Sequence, residues 1–101
     1  LYRDAPGEVI APHAFPVVLR DESADVTPLY RHLEQMGVEV KTLFGSLPMH
    51  KAFRFLGHKP GDFPVAERIG RTGLHFGCHE GMTDGDIDYI YGTFKEYFGR
   101  I

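Results

Sequence analysis

The 101-residue chain is 43% hydrophobic and 25% charged, which suits one globular domain with a modest core and excludes a disordered or fibrous segment. Its 11 basic and 14 acidic residues give a formal net charge of -3 and are spread along the chain, so it lacks the basic footprint of a nucleic-acid binder. A single cysteine, Cys78, allows no internal disulfide, and no apolar run approaches the ~20 residues of a membrane helix, so a reducing cytoplasm is the expected setting and a membrane is not an expected partner.

The chain starts at Leu1 with no signal-like pattern and reads as a piece of something longer. Residues 1–11, broken by Pro6 and Gly7, are expected to be a connecting strap, and residues 12–101 a small domain. His13 to Arg20 reads as a strand with Phe15, Val17 and Leu19 on one face, and Pro16, which has no amide donor, favours a sheet edge. A helix follows, with Thr27 as N-cap, Pro28 at the first helical position, Leu29, Leu33 and Met36 as inner stripe beside Tyr30, and Gly37 as the stop.

Val38 to Phe44 alternates Val38 and Val40 against Glu39 and Lys41, the pattern of a half-buried strand. Gly45 to Phe63 is rich in glycine and proline around Phe53 and Phe55, and a loop of this length is expected to serve function or to cover a partner. Pro64 opens a short helix through Ile69 that ends near Gly70 to Gly73, and Leu74 to Cys78 forms a third strand with Leu74, Phe76 and Cys78 on one face. Thr83 caps the final helix, whose Ile87, Ile90, Tyr91, Phe94 and Phe98 recur at helical spacing up to Gly99. The order predicts an α+β fold: a small, mainly antiparallel three-stranded sheet with amphipathic helices packed on it.

Chemistry-bearing clusters are few. His75, Cys78 and His79 are the tightest of the metal-type residues, but strand geometry sends Cys78 to the face opposite His75 and His79, so no metal site is expected. Ser23 and Ser46 lack a nucleophile-elbow setting, and Cys78 in an apolar strand is expected to be inert. Asp84, Asp86 and Asp88 sit where carboxylates stabilise a helix N-terminus, and the glycines match neither a phosphate loop nor a dinucleotide fingerprint. Phe44, Phe53, Phe55, Phe63 and Tyr91 suit core or interdomain packing.

Four stretches, taken in order, carry a resemblance: H-A-F-P-V-V-L-R at 13–20, L-Y-R-H-L-E-Q-M-G-V-E-V-K-T-L-F-G-S at 29–46, F-P-V-A-E-R-I-G at 63–70 and L-H-F-G-C-H-E-G-M-T at 74–83. Together they resemble the C-terminal part of the DegT, DnrJ, EryC and StrS sugar aminotransferase family, over nearly the whole chain. The resemblance implies the small domain of a homodimeric fold-type-I enzyme that uses pyridoxal phosphate on nucleotide-linked 4-keto-6-deoxy sugars, for lipopolysaccharide or related glycans. In that family a large domain holds most of the cofactor, together with the lysine that binds it or the histidine that replaces the lysine in 3-dehydrases. None of Lys41, Lys51, Lys59 and Lys95 stands in a matching context, so the resemblance implies no catalytic residue here, no cofactor held by this chain alone and no activity for it alone. The L-F-G-S loop followed by F-P-V-A-E-R-I-G is similar to the branch that holds both perosamine-type aminotransferases and 3-dehydrases, with aminotransfer preferred.

By position, Val-Lys-Thr at 40–42 replaces the family's usual Thr-Arg-Pro, so Lys41 keeps the charge without the bidentate fork. His13 stands where relatives carry a histidine or an aromatic, and His79 where they carry histidine or tyrosine. The resemblance therefore implies His13, Lys41, Ser46 and His79 as contacts to sugar or diphosphate oxygens in a cleft facing the large domain. The rival reading is a free-standing ligand-binding or regulatory module.

Overall fold

A computed structural model describes residues 3–99, and its elements are β1 (Ala14–Val18), α1 (Thr27–Gln35), β2 (Val40–Thr42), α2 (Pro64–Thr72), β3 (Gly73–Gly77) and α3 (Asp84–Phe98). The strands form one antiparallel sheet of order β1-β3-β2, so the last strand lies in the middle. Pro16 accordingly sits on an edge strand, where its missing amide costs no ladder bond of a central strand. The fold is the expected small α+β architecture.

The register decides what each face carries. Phe15 pairs with Phe76, Val17 with Leu74, and Val40 with Phe76, all toward α1 and α3. On that side Leu29, Leu33 and Leu74 are fully buried, with Val40 at 1% and Phe94 at 9% exposure, and Ile90, Leu19 and Tyr30 pack at the margin. Each such leucine contributes about 2 kcal/mol of transfer free energy. The two helices are also tied by polar contacts: the Tyr89 hydroxyl donates to the Met36 carbonyl at 2.6 Å, and His32 Nε2 lies 3.2 Å from the Thr93 carbonyl.

The α2–β3 junction joins the remaining pieces. Leu19 N–H donates to the Thr72 carbonyl at 3.0 Å, Val26 N–H to the Arg71 carbonyl at 2.9 Å, and Leu43 N–H to the Gly73 carbonyl at 3.3 Å. Close approach there demands glycine: a Cβ on Gly70 would stand 2.7 Å from the Gly45 carbonyl carbon and 2.8 Å from the Ser46 nitrogen, both backbone atoms.

Several expectations are corrected in detail. Thr27 is not the N-cap of α1; Val26 holds that position, and the Asp25 carboxylate accepts the Thr27 N–H at 2.7 Å in its stead. The strand expected over Val38 to Phe44 pairs only at Val40–Thr42, because the backbone turns left-handed at Phe44 (φ 56°) and Gly45 (φ 58°). Two expectations hold: the partly ordered long loop contains 3-10 turns at Leu47–Met49 and Lys51–Leu56, and the helix from Pro64 ends at Thr72, within the expected stop at Gly70 to Gly73. β3 starts and ends one residue earlier than expected, so Cys78 lies beyond it, where its thiol donates to the Pro12 carbonyl at 3.2 Å. Residues 3–13 form no helix or strand, and are pinned by the Asp4 carboxylate, which accepts the Ile10 N–H at 2.9 Å.

Candidate functional site

The sheet face turned away from α1 and α3 carries polar groups. Here Lys41 of β2 and Pro16 of β1 both pair with His75 of the central strand, so these three side chains share the face. His13, just before β1, brings its ring within 6.1 Å of the His75 ring, edge to face, and Phe44 lies 6.2 Å from His75 at an interplanar angle of 31°. Together with Pro12, Pro16 and Leu43 these rings bound a cleft of about 370 Å³. Lys41 stands beside it, its ammonium 3.5 Å from the Glu39 carboxylate, and both groups are well exposed.

The other two expected residues lie elsewhere. His79 lies in a neighbouring groove that shares Ala11 and Pro12 with the cleft, together with Phe76, Met82 and Ile87, and its Nδ1 accepts the Gly81 N–H at 3.1 Å. Ser46 sits in the seam between the Phe44–Gly45 turn and Gly70, where its hydroxyl oxygen is buried without a hydrogen-bond partner among the described residues. The structure therefore brings His13 and Lys41 to one face and leaves Ser46 and His79 apart from them.

Residues that sequence reasoning passed over complete the face. His75 was weighed only as a metal ligand, yet it is the hub to which His13, Lys41 and Phe44 all relate. The metal argument placed His75 and His79 on one face. In the structure the chain leaves the strand after Gly77 and His79 turns to the helix side; among the described residues no group of three His, Cys, Asp or Glu is placed to hold a metal ion. His50 was not singled out, although its Nε2–H donates to the Phe44 carbonyl at 2.8 Å.

A second region is apolar. Along α3, Ile87 and Tyr91 remain 54% and 51% exposed, and with Phe15, Phe76 and Phe98 they edge a groove of about 410 Å³ that no polar group lines. Across the molecule every residue from His50 to Ala66 is exposed, with Phe55 at 80%. A groove lined by apolar groups alone, like that along α3, is the kind of surface that interfaces use.

Whether these residues suit pyridoxal phosphate can be tested on the donor set. An imine-forming lysine needs a desolvated pocket, and a phosphate needs free amide donors. None of the clefts described is lined by a lysine, and Lys41, Lys51, Lys59 and Lys95 are all exposed. At and just before the helix starts, several amides are held by carboxylates: Asp25 holds Thr27 N–H, Glu67 holds Gly61 and Phe63 N–H, and Asp86 holds Thr83 N–H. Those bonds keep Asp25 and Asp86 below the ordinary carboxylate range, through the Thr27 hydroxyl and amide and through the Thr83 amide and hydroxyl respectively. The described residues do not fit the cofactor.

Residues 3–95 match the sequence model of the DegT/DnrJ/EryC1/StrS aminotransferase family, and the chain belongs to that family. The family is generally pyridoxal-phosphate-dependent. No curated relative matches the chain. No helix among the described residues is long and apolar enough to cross a membrane.

Proposed function

We propose that this chain is the C-terminal small domain of a cytoplasmic, homodimeric aminotransferase that acts on nucleotide-linked 4-keto-6-deoxy sugars for lipopolysaccharide or related glycan biosynthesis. The observation that carries the proposal is family membership over residues 3–95, nearly the whole chain. Two features support the role of a partial domain. The exposed apolar surfaces along α3 and on the 50–66 segment suit a covering large domain, and the poor fit of the chain's own donors to pyridoxal phosphate supports a cofactor held by that domain. Bound there, the cofactor supplies the electron sink for exchanging a keto oxygen for an amine.

This chain's own part is to bind and orient. His13 and Lys41 offer an imidazole and an ammonium to sugar or diphosphate oxygens from one face, and His79 is the proposed contact in the neighbouring groove that shares Ala11 and Pro12; Ser46, whose hydroxyl is buried in the seam at Gly70, would reach the ligand only if that seam opens. The full-length protein, given cofactor, an amino-acid donor and a nucleotide-linked 4-keto-6-deoxyhexose, should form the nucleotide-linked amino sugar, read by product mass. Loss of the carbon-3 hydroxyl would redirect the proposal to the 3-dehydrase branch. An unchanged substrate would overturn it, as would transamination by this chain alone above a buffer control.

A further inference from the structure

Phe44 is held in a way that core packing does not explain. Its backbone is left-handed (φ 56°), a conformation costly for a bulky residue. Its N–H donates to the Thr42 carbonyl and its own carbonyl accepts from His50, each at 2.8 Å, while the following Gly45 rests on Gly70. All of this fixes a ring that is 65% exposed. The ring instead lines the cleft beside His75, in a wall that His13 also shares.

Such a cleft has two chemical properties at once. The aromatic rings at its wall, Phe44 tilted 31° from His75, attract a planar ring, and the imidazoles with the neighbouring Lys41 attract an anion, the exposed Glu39 carboxylate offsetting part of that charge. We infer that the cleft on the outer sheet face receives the nucleoside diphosphate end of the substrate. The base lies against Phe44 and His75, and the phosphates lie toward His13 and Lys41. His50 is a positioning residue that presets Phe44. The inference rests on the proposed nucleotide-sugar chemistry and adds to it which end of the substrate this domain reads.

Calorimetric titration of the full-length protein with CDP, GDP, UDP and dTDP, and with inorganic pyrophosphate, tests it. One nucleoside diphosphate should bind. Phe44→Ala and His75→Ala should each weaken it by at least about fivefold, the loss of one base-stacking ring, while Phe44→Tyr retains it. Pyrophosphate should lose affinity in Lys41→Ala and not in Phe44→Ala, and His50→Ala should reproduce part of the Phe44→Ala loss with an unchanged melting temperature. Equal nucleotide affinity in wild type, Phe44→Ala and His75→Ala would overturn the site while leaving the aminotransferase reading in place. Absence of binding by any of the nucleotides to folded protein would overturn both. Pyridoxal phosphate affinity that falls in Phe44→Ala would assign the cleft to the cofactor and overturn the inference.

Discussion

The two faces of the sheet are built to different ends. Toward α1 and α3, Leu29, Leu33, Val40 and Leu74 are buried and the polar contacts join helix to helix. On the outer face, Pro16, Lys41 and His75 are open or half-open, and the chain spends backbone strain on Phe44 rather than burying it. Stability resides on the first face and the proposed recognition on the second, a division that substitutions can break or sharpen.

The largest effect is expected from Leu74→Ala, which empties the centre of the covered face and should cost about 2–5 kcal/mol in denaturant unfolding. Gly70→Ala follows. Its Cβ would meet the backbone of Gly45 and Ser46, so it should cost about 1–3 kcal/mol and also shift the Phe44 turn, read by unfolding and by the loss of nucleotide affinity together. Thr83→Ala removes the hydroxyl that accepts the Asp86 N–H at 3.2 Å in a reciprocal capping box and should cost about 1 kcal/mol of stability.

Asp86 gives a pH-dependent counterpart to that cap. Its folded-state carboxyl titrates below the ordinary 3.8, so its contribution is fully present above that value and is lost as pH falls through the lower folded-state value. The melting-temperature gap between wild type and Asp86→Asn should therefore be constant near neutral pH and close in acid; a gap that widens in acid would refute the assignment. The smallest effect is expected from Lys41→Ala. Its pair with Glu39 is exposed on both sides, so stability should move by less than about 0.5 kcal/mol.

These elements also show what a sequence reveals. The Thr83 cap and the α3 stripe were legible because their partners lie within a few residues, and Leu29 and Leu33 because helical period alone puts them on one side. The edge position of Pro16 followed from its missing donor. The pairing of Lys41 with His75 was not legible: it depends on β3 entering between two strands far from it in sequence, and no local pattern sets that register. The left-handed turn at Phe44 is likewise imposed from outside, by His50 and by the close approach of Gly70. Among the expected site residues, His13 and Lys41 fall together because each adjoins a strand end or ladder. His79 is carried away because the strand stops at Gly77.

The division between the faces is tested most directly by steady-state kinetics of His13→Ala and Lys41→Ala in the full-length enzyme, with melting temperature measured alongside. The account predicts a raised KM for the nucleotide-linked keto sugar with an unchanged melting temperature. Untouched KM and kcat in both variants would contradict it.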